Sequence, residues 1–335
     1  MKMSQIAKLA GVSTATVSRA FHSPQLVRPE IRNRILKIAR ANNYLYHAPA
    51  GDLSRRRSNI IGILIPTANK SVFGTTLMAI QEKAQENYYS IIIGNTLYDK
   101  NLESRLVTQF EERRVAGVIF TGFVLGQERL IRSLMDNDIP CVIIWEKLED
   151  KDMSFVGFDN FKAAYAATDY LIRLRHRHIG LIIGPYDKVG RVQKRFMGYK
   201  KALEDHGSSF DPALLVAASE PDLAEGKRAM QHLLSQSKSP TAVFAASDRL
   251  AIGAYAAIKE AGLTIPGDVS VVGFDDIDVA AYCDPPLTTI RVPALEIGTL
   301  AVGLLLDAIE KETSRIRQYL LDTELVVRAS CGECS

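Results

Sequence analysis

Four cysteines among 335 residues, Cys141, Cys283, Cys331 and Cys334, are too sparse for a disulfide framework, so reduced thiols are expected. No apolar run approaches the roughly 20 residues that span a bilayer. The opening MKMSQIAKLAG has no apolar stretch of the kind a secretory signal needs. The expectation is therefore a cytoplasmic protein without a membrane partner. No strand-to-helix junction carries a phosphate loop, a nucleophile elbow or a dinucleotide fingerprint, and the six histidines form no metal pair. Neither enzymatic activity nor any cofactor or metal is expected. His176 and His178, two apart before an apolar run, read as surface positions. The closing CGEC has metal-ligand spacing, but a structural zinc site needs two further ligands, and a frayed, reduced tail is the expectation.

Net charge is also scarce, at +3, but it is unevenly spread. Residues 1–58 hold 11 of the 41 basic and two of the 38 acidic residues, so this end is strongly basic and the remainder is mildly acidic. A small basic module on an acidic body suggests a polyanion partner, because neutralising phosphates releases counterions. Within that module Ile6, Ala7 and Ala10 share one face of a short helix, and Gly11 supplies a permissive turn. Ser13 is a good N-cap for TATVSRA, with Val17 and Ala20 or Phe21 inward and Thr14, Ala15, Ser18 and Arg19 outward. Pro29 opens a third helix with Ile31, Ile35 and Ile38 inside and Arg32, Arg34, Lys37 and Arg40 outside. Two helices about a tight turn, completed by a third, make a helix-turn-helix module.

IAKLAGVSTATVSRAF followed by RPEIRNRILKIARANNY resembles, without a gap, the DNA-binding module of the lactose-repressor (LacI) family. The resemblance implies that Thr14, Ala15, Thr16, Ser18 and Arg19 meet double-stranded operator DNA from a recognition helix in the major groove. Arg19 can fork onto a guanine edge, Thr14 offers a hydroxyl or methyl, and Ala15 can pack on a thymine methyl. A phosphate-bound Arg19 is the alternative. LYHAPAGDLSRRRSN resembles the family hinge, which turns helical on DNA. Leu53 falls at its minor-groove wedge, and Arg55, Arg56 and Arg57 are near phosphates. Pro49 and Gly51 are poor in a helix interior, and Arg28 replaces the small polar cap expected before Pro29.

From Asn59, apolar runs alternate with amphipathic stretches: IIGILIP, SIIIGN, AGVIFTG, PCVIIW and SFVGF, then IGLIIG, TAVFAAS and VSVVGF. Runs apolar on both faces belong to parallel sheets in doubly wound lobes. The expected fold class is α/β: a three-helix helix-turn-helix module plus a two-lobed, doubly wound core similar to periplasmic sugar-binding proteins. The expected division is 1–44 for DNA binding, 45–58 for the hinge and 59–335 for effector binding and dimerisation. The N-lobe takes about 59–157 and 289–317, and the C-lobe about 158–288 and 318–335, with crossings near 157–159, 286–289 and 317–321.

Ligands of open α/β sheets bind outside the carboxyl ends of the strands, which two facing lobes turn into a cleft. By resemblance, Arg195 matches an arginine that donates to effector oxygens, and Asp275, ending VVGFDD, an acceptor. Asp248 in AASDRL sits at a similar strand end, although either aspartate could instead cap a helix. Phe73 aligns with an aromatic that stacks on the ligand, with core packing as the alternative. Three positions depart from the family: Trp145 replaces a frequent aspartate, Ser247 a frequent asparagine, and Pro221 falls near an aromatic. Trp145 could stack on a sugar or plug the cleft. Lys188, Arg191 and Lys194 beside Arg195 favour an anionic effector, or are simply a solvated basic loop. The expected effector is a sugar, sugar acid or sugar phosphate, with purines ranked behind. The chain lacks the leucine-repeat extension of tetrameric relatives, so a homodimer on a palindromic operator is expected. The competing reading is a sugar-binding receptor or transport component without DNA binding, against which the module at 1–58 argues.

Overall fold

The computed structural model describes residues 1–22, 26–44, 58–67, 72–122, 124–310 and 316–334. Helices α1 (Met3–Ala10), α2 (Thr14–His22) and α3 (Pro29–Ala41) close around Ile6, Ala10, Val17, Ala20, Ile35 and Ala39. α1 stops because Gly11 adopts φ 63°, letting the next N–H groups turn back onto the last carbonyls. Ser13 Oγ accepts the Thr16 N–H at 3.1 Å and caps α2, as its sequence predicts. Arg28 gives α3 no side-chain cap, and Pro29 supplies the helical first φ instead.

Strands and helices then alternate. β1 (Ile60–Ile65), α4 (Phe73–Glu86), β2 (Ser90–Asn95), α5 (Lys100–Glu112), β3 (Gly117–Thr121), α6 (Glu128–Asp136), β4 (Cys141–Ile144) and β5 (Ser154–Phe158) come first. α7 (Asn160–Arg173), β6 (Ile179–Ile183), α8 (Gly190–Asp205), β7 (Leu215–Ala217), α9 (Leu223–Leu234), β8 (Ala242–Ala245), α10 (Asp248–Glu260), β9 (Ser270–Asp275) and β10 (Thr288–Arg291) follow. α11 (Ala294–Glu310), β11 (Gln318–Leu321) and β12 (Glu324–Val326) close the described chain.

Two sheets result, ordered β11-β5-β4-β3-β1-β2 and β12-β10-β9-β8-β6-β7. All ladders are parallel except β10 with β12. β3, β4, β8 and β9 are buried throughout, because helices cover both faces. The predicted α/β, doubly wound, two-lobed class is the fold observed. Close helix packing depends on missing side chains: a Cβ at Gly253 of α10 would lie 2.2 Å from the Leu223 carbonyl of α9.

The lobe exchange points sit a few residues later than expected. β10 stays in the second sheet through Arg291, and α11 then packs on α4 of the first lobe. β11 pairs with β5, so residues 318–321 belong to the first sheet rather than the second. Tyr319, Leu320 and Leu321 are apolar, but the strand is only four residues long and lies at the sheet edge with its side chains mostly exposed.

Two further expectations are corrected. His176 is buried at 3% exposure, with Nδ1 3.0 Å from Thr241 Oγ1 and Nε2 3.1 Å from both Ser270 Oγ and the Gly332 carbonyl. The CGEC segment is likewise docked rather than frayed. Ser330 donates to the Val271 carbonyl at 2.6 Å, the Gly332 N–H donates to Ser270 Oγ, and the Cys334 N–H reaches the Leu174 carbonyl at 2.8 Å. Burial pushes the Cys331 thiol up to about 11. A histidine that satisfies its ring nitrogens inside the protein looks, in sequence, the same as one facing water.

Candidate functional site

On the small module Thr14, Ala15 and Arg19 of α2 are exposed on one side, while Val17 and Ala20 are buried on the other. Ser18 and Thr16 are half-buried, and Thr16 Oγ1 lies 2.9 Å from Ser13 Oγ, so its hydroxyl joins the cap of the helix that carries it. Leu53, Arg55, Arg56 and Arg57 lie outside the described residues.

In the body, strand order reverses between β1 and β3 in the first sheet and between β6 and β8 in the second. In open α/β sheets, ligand crevices form at such switch points, outside the carboxyl ends of the strands. α8 follows β6 and carries Arg191 and Arg195 one turn apart on its buried side, at 3% and 6% exposure. Arg195 Nε donates to Asn160 Oδ1 at 2.8 Å, Nη1 donates to the Ala246 carbonyl at 2.9 Å, and the guanidinium lies 3.7 Å from the Phe274 ring centroid. Burial pulls it down to about 10, against the opposing pull of Asp275. Asp275 ends β9 with φ 115°, a strained conformation for a non-glycine residue that turns the chain out of the sheet. Burial lifts its carboxyl to about 7, while Arg195, Arg191 and a hydrogen bond from Ser247 hold it lower than burial alone would.

The first lobe faces these groups. Phe73, opening α4, meets Trp145 edge-on at 4.9 Å, and Trp145 meets Phe158 at 5.8 Å. Phe158 in turn meets Phe274 of the second lobe at 6.1 Å, so an aromatic wall runs across the lobe boundary. Trp145 is 1% exposed and its Nε1–H donates to Thr76 Oγ1 at 3.2 Å, so the ring is held in place by the wall. Arg191 crosses between lobes: its Nη1 donates to the Thr121 carbonyl at 2.8 Å, and its guanidinium sits 5.5 Å from the Phe73 ring centroid. Beside it, a Val124–Val189 bridge and the Leu125 N–H donating to the Lys188 carbonyl at 2.8 Å also join the lobes.

Four buried polar atoms of this lobe have no hydrogen-bond partner among the described residues: Thr67 Oγ1, Glu103 Oε1, Thr121 Oγ1 and Glu146 Oε2. Burial raises the Glu103 and Glu146 carboxyls to about 7, with Arg191 pulling both back. Burial likewise raises the Tyr98 hydroxyl, against Arg191 and Arg195. Arg191 is thus the common neighbour of Tyr98, Glu103, Thr121 and Glu146. Such buried, unmatched groups with perturbed acidities mark a ligand site.

The structure brings together Phe73, Trp145, Arg191, Arg195, Ser247 and Asp275, but not Asp248. Its Oδ1 accepts from Thr289 Oγ1 at 2.5 Å and its Oδ2 from the Ile277 N–H at 2.8 Å, so both oxygens tie α10 to the segments after β9 and before β10. The basic cluster also disperses: Lys188 is exposed, and Lys194 points to Glu149 at 3.8 Å. Sequence reasoning missed Tyr98, Glu103, Thr121 and Glu146. Glu146 could have been found, since it is one residue past the strand end where the missing acidic group was sought. Glu103, in the first turn of α5, looks like an ordinary surface acid.

Residues 2–46 match the model for bacterial regulatory proteins of the lacI family, and residues 168–331 match that for the periplasmic binding protein-like domain. The chain is 35% identical to the HTH-type transcriptional repressor CytR of Escherichia coli (strain K12), covering 98% of this chain and 95% of the relative. It is 36% identical to the ribose operon repressor of Haemophilus influenzae, covering 98% of each. Among solved structures, the transcriptional regulator CelR–cellobiose complex superposes with TM-score 0.73 at 27% identity, over 98% of this chain and 99% of the other. A LacI family regulator from Enterococcus faecium with bound ribose gives TM-score 0.72 at 28% identity, over 82% and 100%. With its helix-turn-helix, its two-lobed core and relatives that match it end to end, this chain belongs to the LacI family of bacterial transcriptional regulators.

Proposed function

We propose that this protein represses transcription by holding a palindromic operator as a homodimer through residues 1–44, with 45–58 as the hinge, under control of a small effector bound between the lobes of 59–335. On this reading Arg19 reads a base edge while Thr14, Ala15 and Ser18 fit the groove, Thr16 helps through the cap, and Leu53 with Arg55, Arg56 and Arg57 engages the minor groove and its phosphates. Lobe closure then changes the spacing of the two hinges in the dimer. The protein works by binding alone, in the cytoplasm, with no enzymatic step and no cofactor. No helix among the described residues is long and apolar enough to cross a membrane.

One observation carries the reading: Arg195 on α8 and Asp275 at the end of β9, a buried donor fork and a buried acceptor, stand in one lobe opposite unmatched polar atoms of the other. That pairing suits a polyhydroxylated ligand, and relatives solved with cellobiose and with ribose support a sugar or sugar derivative. The test is selection of operator sites from random DNA, followed by operator binding with and without sugars. A two-fold-symmetric site whose occupancy changes with a sugar is expected. Asp275→Ala should weaken that sugar by roughly a hundredfold, the effect of losing a buried charged hydrogen-bond partner. Wild-type sugar affinity in Asp275→Ala would remove Asp275 from the site, and an asymmetric or absent DNA site would remove the repressor reading.

A further inference from the structure

We infer that the first lobe's half of the cleft is an acceptor-lined subsite, built by Glu103, Glu146 and Thr121 around Arg191, that takes hydroxyl or amine groups of the effector and turns away phosphate and carboxylate. The inference rests on the effector-binding reading and narrows it to a charge class.

Among the described residues, the guanidiniums that would favour an anion are already partly engaged. Arg191 Nη1 is given to the Thr121 carbonyl and its guanidinium lies by Phe73, while two nitrogens of Arg195 are given to Asn160 and the Ala246 carbonyl. Lys188 is exposed, and Lys194, close enough to pull on Glu146, is shared with Glu149 at 3.8 Å. The acceptors are left over. Glu103 and Glu146 are 3% and 5% exposed, and one oxygen of each has no partner among the described residues. Glu146 is also held against backbone: a Cβ at Gly190 would lie 2.5 Å from Oε1, and one at Gly122 3.1 Å from Oε2. Together with Asp275, three buried carboxyls face two guanidiniums. An entering phosphate or carboxylate would meet like charge stripped of water, whereas a hydroxyl or ammonium group supplies the missing donor. Burial raises both glutamate carboxyls to about 7, against the pull of Arg191.

The test uses the full chain, thermal shift and calorimetry, with neutral sugars, amino sugars, sugar acids and sugar phosphates represented by D-ribose, D-glucosamine, D-gluconate and D-ribose 5-phosphate. The tightest ligand is expected to be neutral or amine-bearing, with its acid or phosphate counterpart at least about tenfold weaker. Glu103→Gln and Glu146→Gln should each weaken it about tenfold, with unliganded thermal midpoints at or above wild type, and Thr121→Val should weaken it in the same direction. A tightest ligand that is an acid or phosphate overturns the inference and leaves the effector cleft standing. Unchanged affinity in all three variants overturns it as well. No thermal shift with any class overturns both the inference and the sugar-effector reading beneath it.

Discussion

Glu146 carries a carboxyl raised to about 7 by burial, against the pull of Arg191 and Lys194 and with Glu128 adding to the rise. An unfolded glutamate titrates near 4.3. Between those values the folded protein keeps a proton that the unfolded chain has released, so this residue's cost to folding grows as pH rises from about 4.5 to 7 and is complete above. Glu146→Gln removes the ionisable group. It should therefore raise the thermal midpoint of the unliganded protein most at pH 8, less at pH 6, and hardly at all near pH 4.5, as scanning calorimetry across that range would register. A constant difference at every pH would mean that Glu146 is not ionising in a buried place. Arg19 poses a different question at the same scale. Its side chain is exposed and α2 is packed through Val17 and Ala20 instead, so Arg19→Ala should leave folding intact. Preference at one base pair per half-site should relax by about 1–3 kcal/mol in a binding-site selection, and unchanged preference would assign the arginine to phosphate.

Among the elements, the C-terminal strap contributes more than its composition suggests. Ser330 is fully buried, accepts the Thr288 N–H at 2.8 Å and donates to the Val271 carbonyl, while the next residues complete the surroundings of His176. Burial lowers the His176 imidazole, which therefore sits neutral between Thr241 and Ser270. Ending the chain at Ala329 would expose this seam and orphan several buried polar groups. A loss on the order of 2–4 kcal/mol is expected in denaturant unfolding. Stability equal to wild type would show that the strap only covers the lobe. α2 illustrates the reverse case, in which local chemistry suffices: Ser13 caps it and Gly11 frees its entry, whatever the rest of the chain does.

For the whole molecule, residues 1–58 are strongly basic and the remainder mildly acidic, and the proposed function places operator binding in the first part and effector binding in the second. Residues 59–335 alone should keep the effector affinity of the full protein and lose operator binding, while in the full protein operator affinity should fall steeply with salt as counterions are released. Calorimetry on the fragment and operator titrations at several salt concentrations check both; retained operator binding by the fragment would overturn the division. The sequence by itself determined the parts whose signals are local: the helix-turn-helix, from caps, a turn glycine and helical spacing, and the doubly wound lobes, from apolar runs that become β1 to β5, β6, β8 and β9. It pointed to Asp275 from its place at the end of a buried strand and from the family resemblance, and to Arg195 from the resemblance alone. Tertiary structure alone decided which neighbours compete for each group. Asp248 and Asp275 look alike at strand ends, but Thr289 and the Ile277 amide claim the first and leave the second facing Arg195. The docking of His176 and the tail, the pairing of β11 with β5, and the gathering of Tyr98, Glu103 and Glu146 about Arg191 likewise join residues far apart in the chain. Their burial and acidity arise from those non-local contacts, which no spacing along the sequence encodes.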